Sequence, residues 1–586
     1  MNLLNYLQKN EKITPHAASA LRDEATKQKR SIYQHAYTTI QKQPYGFDYA
    51  VLEETMLAEG ADAGYPIVAL NNTRGYSVVA KIYEAAGGAS QALANLFIPI
   101  MEETTGKHIC VTTRPDDTTF IDKLHNFYGD WSFEIGICSR EIYKALLDLY
   151  ATPLIISSSA KQMFGDQSNK RAGPTSNDSA IRQLYHQIFK VGYDRRASDV
   201  HLIPCHDYAQ IFYRIDGHNH HYTDIPIDTL FRIFNLLVSD SKAGNKNDQE
   251  IIDSKMEFSP SEGKIPDDRV DLRISIIPSK YGPDINVRYL SSRMFSFEEL
   301  GMSAQHIALY QELLERPSGL IVQVGPTGSG KSTTLYTGLD YIHKSLRNII
   351  TIEDPVEIMM NGITQIDVQA KKTGQAVTFA EALKASLRHD PDVIVVGELR
   401  DAETAQHAIR AANTGHLVIT SLHTNDSIGA FERLINLGID PYSLGDVLVA
   451  VMGQRLVRRL CAHCREAYMM PMKSDVARMF KLPNMDTDLE FYNAVGCVHC
   501  NNVGYRGRVA INEILVIDKT LRDLIQQRAP RKEYEEYLLD DRKVKFRSMY
   551  HDGLHKVFAG ITSLEEMRAF ALDTIAFKGA QLERFE

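Results

Sequence analysis

Nine consecutive residues, Gly325-Pro326-Thr327-Gly328-Ser329-Gly330-Lys331-Ser332-Thr333, combine three glycines, a lysine and several hydroxyls in the spacing of a phosphate-binding loop. Glycines let successive backbone N–H groups curl around an anion, and a helix starting just after them adds positive potential. Lys331 would reach the β- and γ-phosphates of a nucleotide, and the Ser332 hydroxyl would be a ligand for Mg²⁺. The alternative is an ordinary glycine-rich turn. Against it stands the context: the apolar run Leu320 to Val324 precedes the loop, and Thr334 to His343 can form a helix. A strand, a loop and a helix in that order are what the motif requires.

Carboxylates recur downstream. Val393-Ile394-Val395-Val396 is followed by Gly397-Glu398, an apolar strand ending in an acid. Glu398 could polarise an attacking water, while Gly397 stands where a second, metal-directed carboxylate is usual. Thr351-Ile352-Glu353-Asp354-Pro355-Val356-Glu357 places three acids in five residues after another apolar run. Such a cluster at the C-terminal end of a strand suits nucleotide, water or metal, with Glu353 and Glu357 as candidates. Read alone, these segments could be a buried strand with a surface Glu and a solvated turn organised by Pro355. His416 and His423 flank the strand-like Leu417 to Leu422. Histidine can sense a γ-phosphate or link subunits, although a lone histidine is usually only packed or solvated.

The chain has seven cysteines, and four of them form two C-x-x-C pairs, Cys461/Cys464 and Cys497/Cys500, with 32 residues between. Each pair can form a knuckle, and four thiolates close a tetrahedral structural Zn²⁺ site. The alternatives are redox cysteines or a disulfide. His463 and His499 could substitute as ligands, but four thiolates already fill the shell, so the metal carries no catalysis. Cys110, Cys138 and Cys205 read as ordinary buried or half-buried thiols.

These groups must be positioned by more than one core, because 586 residues exceed what a single core accommodates. Residues 1–165 mix helix and strand patterns, including a helix over Asp48 to Glu59, a strand at Ile109 to Thr112 and an amphipathic helix over Ser139 to Tyr150. Gly165 to Ser179 is polar and reads as a linker, taken as 166–180. From 181 to 297 a helix at Ile181 to Val191 precedes strands at Asp199 to Ile203, Ala209 to Ile215, Val270 to Ile277 and Ile285 to Leu290, a small α+β domain. Arg214-Ile215-Asp216-Gly217 is a hairpin turn. From 298 to 586 strands alternate with helices, which predicts an α/β domain with a parallel sheet. Its insert 461–500 carries the cysteine pairs. The net charge of −9 argues against a nucleic-acid motor, which displays a large basic surface. No apolar run reaches the 18 or so residues of a membrane span. The N-terminus lacks the pattern of a signal peptide, so a cytoplasmic location is expected.

Taken together these segments resemble the secretion ATPase superfamily of bacterial type II secretion and type IV pilus systems. GPTGSGKSTTLY resembles its Walker A box, TIEDPVE its Asp box, DPDVIVVGELRD its Walker B box and TGHLVITSLHTND its His box. RASDVHL, GQRLVRRLC and GYRGRVAINEIL resemble further signatures. The resemblance implies a RecA-like motor domain after a small PAS-like α+β domain and an N-terminal docking domain. It implies a homo-hexamer hydrolysing ATP with Mg²⁺, and arginines of the small domain reaching the γ-phosphate. Two arginines fifteen apart, Arg273 and Arg288, match that pattern, although Gly282-Pro283-Asp284 replaces the usual Gly-Glu of the intervening turn. The cysteine insert and the long N-terminal extension resemble the assembly branch. That branch adds pilin-like subunits through a polytopic inner-membrane platform protein, with a cytoplasmic docking protein and no direct nucleic acid. The motor is then peripherally associated with the inner membrane through those partners. A DNA-translocating or conjugative motor and a non-hydrolysing nucleotide-gated scaffold are the competing readings.

Overall fold

The computed structural model describes residues 174–241, 247–261, 269–290, 293–368, 377–471, 473–480, 488–539 and 546–573, residue 482, and short segments between 15 and 160. The expected helix over Asp48 to Glu59 lies outside the described residues, apart from residue 57. The chain forms two compact units. One comprises residues 1–290 with 461–464 and 495–504, and the other comprises 291–460 with 465–494 and 505–586.

In the first unit, strands β1 (Tyr76–Val78), β2 (Phe97–Glu102), β3 (His108–Thr112) and β4 (Glu134–Ile137) make a four-stranded sheet in that order. Ile98, Ile100, Ile109 and Val111 bury its apolar face with Cys138, Ile142 and Leu146. The strand expected at Ile109 to Thr112 is β3, and Ile142 and Leu146 of the expected amphipathic helix face the core. Helix α2 (Pro174–Asp194) starts seven residues before the expected Ile181, inside the expected linker. Pro174 explains the early start: it lacks an N–H that a first helical turn would leave unbonded anyway.

A six-stranded antiparallel sheet follows, in the order β7 (His218–Pro226), β6 (Tyr208–Ile215), β5 (Asp199–Pro204), β10 (Gly282–Leu290), β9 (Val270–Ser279), β8 (Ile252–Phe258). Asp216 (φ 50°) and Gly217 (φ 90°) form the two-residue β6–β7 turn, with Ile215 paired to His218. Two left-handed residues in succession match the strands' own twist, as in a type I′ hairpin. Val200, Leu202, Leu272, Ile274, Ile285 and Val287 point to one face and are covered by α2 and by α3 (Ile227–Asp240). Side chains alternate along strands, so Asp199, His201, Arg273, Asn286 and Arg288 stand on the opposite face. The Gly282-Pro283 departure leaves the hairpin registered: Gly282 pairs with Ser279, and Arg288 faces Arg273.

The second unit is built on a seven-stranded sheet in the order β13 (Thr364–Asp367), β12 (Ile349–Glu353), β14 (Val393–Val396), β15 (Leu417–Leu422), β11 (Gly319–Val324), β16 (Leu448–Leu460), β19 (Tyr505–Val516). All neighbours are parallel except β16 and β19. Every residue of β11 and β14 is buried. Strands covered on both faces read as unbroken apolar runs. On one face Leu320, Val322, Val324, Ile394, Val396 and Val418 pack against Ala405, Ala408 and Ile409 of α7 (Ala402–Asn413). On the other, Ile321, Val393, Val395 and Ile419 pack against α4 (Ala304–Leu314) and α5 (Lys331–His343), through Leu313, Leu335 and Leu339. No helix among the described residues is long and apolar enough to cross a membrane.

Candidate nucleotide site and metal centre

Register fixes where the polar motifs meet. Val324 lies beside Leu422, Thr420 beside Val396, and Val396 beside Ile352. The chain therefore leaves β11, β15, β14 and β12 at one edge of the sheet, their shared C-terminal edge. Gly325, His423, Glu398 and Asp354 emerge there side by side. Open α/β sheets bind ligands at that edge.

The loop after β11 needs its glycines. Gly325, Gly328 and Gly330 have φ of 152°, 78° and 86°. A Cβ at Gly325 would stand 2.3 Å from the Gln454 carbonyl oxygen, and one at Gly330 would stand 2.8 Å from the Gln454 side-chain nitrogen. Thr327 lies in the turn of the loop, while Ser332 and Thr333 open α5 directly after Lys331. Lys331 Nζ donates to the Gly325 carbonyl at 2.6 Å and to the Pro326 carbonyl at 3.1 Å. Burial lowers the Lys331 pKa, because nothing anionic there offsets its desolvation. Ser329 Oγ is buried with no hydrogen-bond partner. A cation turned onto its own loop's carbonyls and an orphaned hydroxyl fit a site made for anionic oxygens.

Glu398 is ion-paired on one oxygen with Arg400 Nε, and its other oxygen lies 3.2 Å from His423 Nε2. Arg400 Nη1 also donates to Asp354 Oδ2 at 3.3 Å. His423 has its pKa lowered, first by burial and then by the positive charges of Lys331, Arg400 and Arg433. Its surroundings favour the neutral imidazole. Such a ring can donate one proton toward Glu398 without adding charge to the site. Asp354 Oδ1 is a buried carboxylate oxygen without a hydrogen bond. Hard oxygen donors of this kind suit Mg²⁺, so Ser332 and Asp354 are the residues here that fit the ion.

Three expected residues are placed differently from the rest. Glu353 is buried and already bonded: the Tyr336 hydroxyl donates to Oε2, and Thr351 Oγ1 donates to Oε1 at 2.5 Å. It organises the loop and is not presented as a free ligand. Glu357 is exposed, and its backbone N–H donates to the Tyr336 hydroxyl at 3.2 Å. His416 stands at the N-terminal end of β15. Its Nδ1 lies 2.9 Å from the Ala411 carbonyl oxygen, where it caps α7. Six strand residues at about 3.3 Å each separate it from His423, so within one unit it is about 20 Å from the phosphate-loop edge.

In the first unit, Arg288 Nε donates to Asp199 Oδ1 at 2.8 Å, and Asp199 is only 3% exposed. Arg273 is the cross-strand neighbour of Arg288, so the polar face of that sheet presents two guanidinium groups side by side.

Sequence reasoning misses four participants: Asp354 as the open carboxylate, Arg400, Tyr336 and Gln454. Asp354 and Arg400 lie inside quoted motifs, and their chemistry was there to be read. Tyr336 and Gln454 act through contacts between distant segments.

The four cysteines Cys461, Cys464, Cys497 and Cys500 are buried, free of disulfides, and have their sulfurs within 4.8 Å of one another. Three of the sulfur pairs are 3.8 Å apart. The edge of a tetrahedron with 2.3 Å zinc–sulfur bonds is also about 3.8 Å. Backbone N–H groups of Gly496 and Gly504 donate to Cys464 and Cys500 sulfurs, both at 3.2 Å. Such bonds stabilise thiolate ligands. The cluster therefore fits a structural zinc. His463 and His499 stack on each other at 4.0 Å between ring centres.

Comparison with known proteins places this architecture. The family model described as Type II/IV secretion system protein matches residues 175–569. The Type II secretion system ATPase E of Vibrio cholerae is 38% identical over 402 residues, covering 67% of this chain and 76% of that protein. The Type IV pilus assembly ATPase PilB of Pseudomonas aeruginosa is 35% identical over 404 residues, 69% of each chain. PilB of Thermus thermophilus is 36% identical over 445 residues, 75% of this chain and 48% of its own length. Among solved structures, the ATPase DotB of Yersinia pseudotuberculosis aligns with a TM-score of 0.50 at 20% identity, over 67% of this chain and 94% of DotB, a likeness of fold. With the motifs in order and a match across two thirds of its length, the chain belongs to the Type II/IV secretion system protein family.

Proposed function

We propose that the chain is an ATP hydrolase that works as an oligomeric, hexameric motor, adding pilin-like subunits to a type IV pilus or a type II secretion pseudopilus. The reading rests above all on the shared edge of β11, β15, β14 and β12, where the phosphate loop, His423, Glu398 and Asp354 come together. The names of the relatives, secretion and pilus assembly ATPases, support the same reading.

The residues divide the work. The N–H groups of the loop and Lys331 hold the β- and γ-phosphates, and Lys331 leaves the Gly325 and Pro326 carbonyls to do so. Ser332 would hold Mg²⁺, which neutralises phosphate charge when bound, and Asp354 is a further hard oxygen donor on the same sheet edge. Glu398, freed from Arg400, accepts a hydrogen bond from the attacking water and orients it. His423 keeps Glu398 aimed without competing for its proton. Arg273 and Arg288 supply positive charge to the transferring phosphoryl group. Asp199 holds Arg288 at a fixed angle. The motor works in the cytoplasm against a polytopic membrane platform protein and a docking protein that engages the N-terminal segment. Zn²⁺ in the four-cysteine cluster is structural.

The arginine assignment is tested by Arg288→Ala. In the purified oligomer, phosphate release should fall at least a hundredfold, below the ~10³–10⁵ that an arginine finger can carry because Arg273 remains. Binding of MgADP should stay within threefold, since that product lacks the γ-phosphate. Phosphate release at the wild-type rate would remove Arg288 from the mechanism. In cells that make the pilus or secrete through the system, the same variant should fail to restore a deletion strain.

A further inference from the structure

We infer that Gln454 is a positioning residue for the phosphate loop, setting the direction in which the Gly330 N–H points. The inference rests on the reading of residues 325–333 as a nucleotide site and adds a residue of the stretch GQRLVRRLC, outside the phosphate loop and the acidic and histidine motifs.

Gln454 lies on β16, just past Gly453, which is paired with Val324 at the end of β11. It is 3% exposed, and both ends of its amide are engaged. Nε2 donates to the Ser329 carbonyl at 2.9 Å, and Oε1 accepts from Thr334 Oγ1 at 2.8 Å. Chemistry fixes the orientation of this amide. The Ser329 carbonyl can only accept, so the nitrogen must face it, and the Thr334 hydroxyl donates to the oxygen left over.

The consequence follows from peptide geometry. The Ser329 carbonyl and the Gly330 N–H belong to one planar unit and point in opposite directions. Holding the carbonyl toward Gln454 turns the N–H away from β16. Gly330 is left-handed, with φ of 86°, a conformation in which glycine has little steric preference to keep the plane from flipping. The strap from Gln454 supplies the preference that the glycine lacks. Thr334 ties the same amide to the first turn of α5, so loop and helix are held by one side chain.

The experiment uses the full-length oligomer and two substitutions. Gln454→Met keeps the volume and removes both hydrogen bonds. It should raise the Kd for MgADP about tenfold, the equivalent of about one hydrogen bond, while kcat at saturating ATP changes less than threefold. Gln454→Glu keeps the shape but turns an acceptor toward the Ser329 carbonyl. Its carboxyl can donate only when protonated, so its binding defect should shrink as pH falls from 8.5 to 6, whereas that of Gln454→Met should not. Thr334→Val, which frees Oε1 but leaves the Ser329 bond, should weaken binding about threefold and serves if Gln454→Met does not fold. Wild-type Kd in Gln454→Met or, failing that, in Thr334→Val would overturn the assignment. So would a loss of kcat and melting temperature with Kd unchanged. Lys331→Ala, measured beside them, isolates the underlying reading: if it binds MgADP as wild type does, the loop is not the nucleotide site.

Discussion

Lys331→Ala is expected to remove ATP turnover below detection, and Glu398→Gln to slow it about 10²–10⁴-fold, the range for loss of a positioned base. The two variants should separate by binding. Lys331 is half-buried, and its ammonium is held by the Gly325 and Pro326 carbonyls. Burial lowers its pKa, because the loop partly desolvates the ammonium. A triphosphate offsets that desolvation through charge-assisted bonds worth about 1.5–3 kcal/mol each. Removing the ammonium should therefore weaken MgATP binding at least tenfold as well as abolish hydrolysis. Glu398 makes no such contribution to binding. It sits at the end of β14, paired with Arg400 and His423, and a glutamine there keeps the volume and one carbonyl acceptor. Glu398→Gln should bind MgATP within threefold of wild type and hold it without cleavage. Phosphate release and equilibrium binding, measured on the same oligomer preparation, check both statements. Near-wild-type release by Glu398→Gln would show that another group orients the water.

The parts of this site that could be read in the sequence are those whose spacing is local. Nine residues spell the phosphate loop. Four consecutive apolar residues spell β14, because a strand buried on both faces is mostly apolar and carries a polar side chain only where a partner satisfies it. The cysteine pairs announce a knuckle each, and the fold only had to bring the two together. What could not be read depends on contacts across the sheet. Gln454 touches Ser329 across 125 residues, and nothing in GQRLVRR says which way its amide will turn. Glu353 and Asp354 are adjacent acids of similar chemistry. Only the packing of Tyr336 and Thr351 decides that the first has both oxygens bonded, while the second, paired with Arg400 on Oδ2, keeps Oδ1 unbonded. His416 and His423 look equivalent in sequence, but strand direction sends them to opposite edges. β7 carries little strand signal because His218-Asn219-His220-His221 lacks apolar alternation, as the first residues of an edge strand can.

Stripping zinc, or replacing Cys500 with serine, is expected to be the largest perturbation away from the nucleotide. The wild-type chain should carry one zinc, and Cys500→Ser should lose it. Cys461 and Cys464 precede the hairpin of β17 (Arg465–Met470) and β18 (Leu489–Ala494), and Cys497 and Cys500 follow it. A metal held by all four thiolates closes a loop of about 40 residues, and loop closure of that size is worth about 4 kcal/mol by the chain-entropy account. Metal-free, the segment should become the first site of proteolytic cleavage, while the phosphate loop, built from other strands, should still bind MgADP. The thiols also predict a pH dependence. Burial raises Cys464 strongly and pushes Cys497 up to about 11, so without metal both are protonated at neutral pH. Zinc must displace those protons, at least two per ion, and its affinity should fall as pH falls. Calorimetric titration in buffers of different ionisation heat counts the protons directly. Zinc-free protein with unchanged proteolysis and melting would mean that the four sulfurs pack as thiols and that the hairpin stands without the ion.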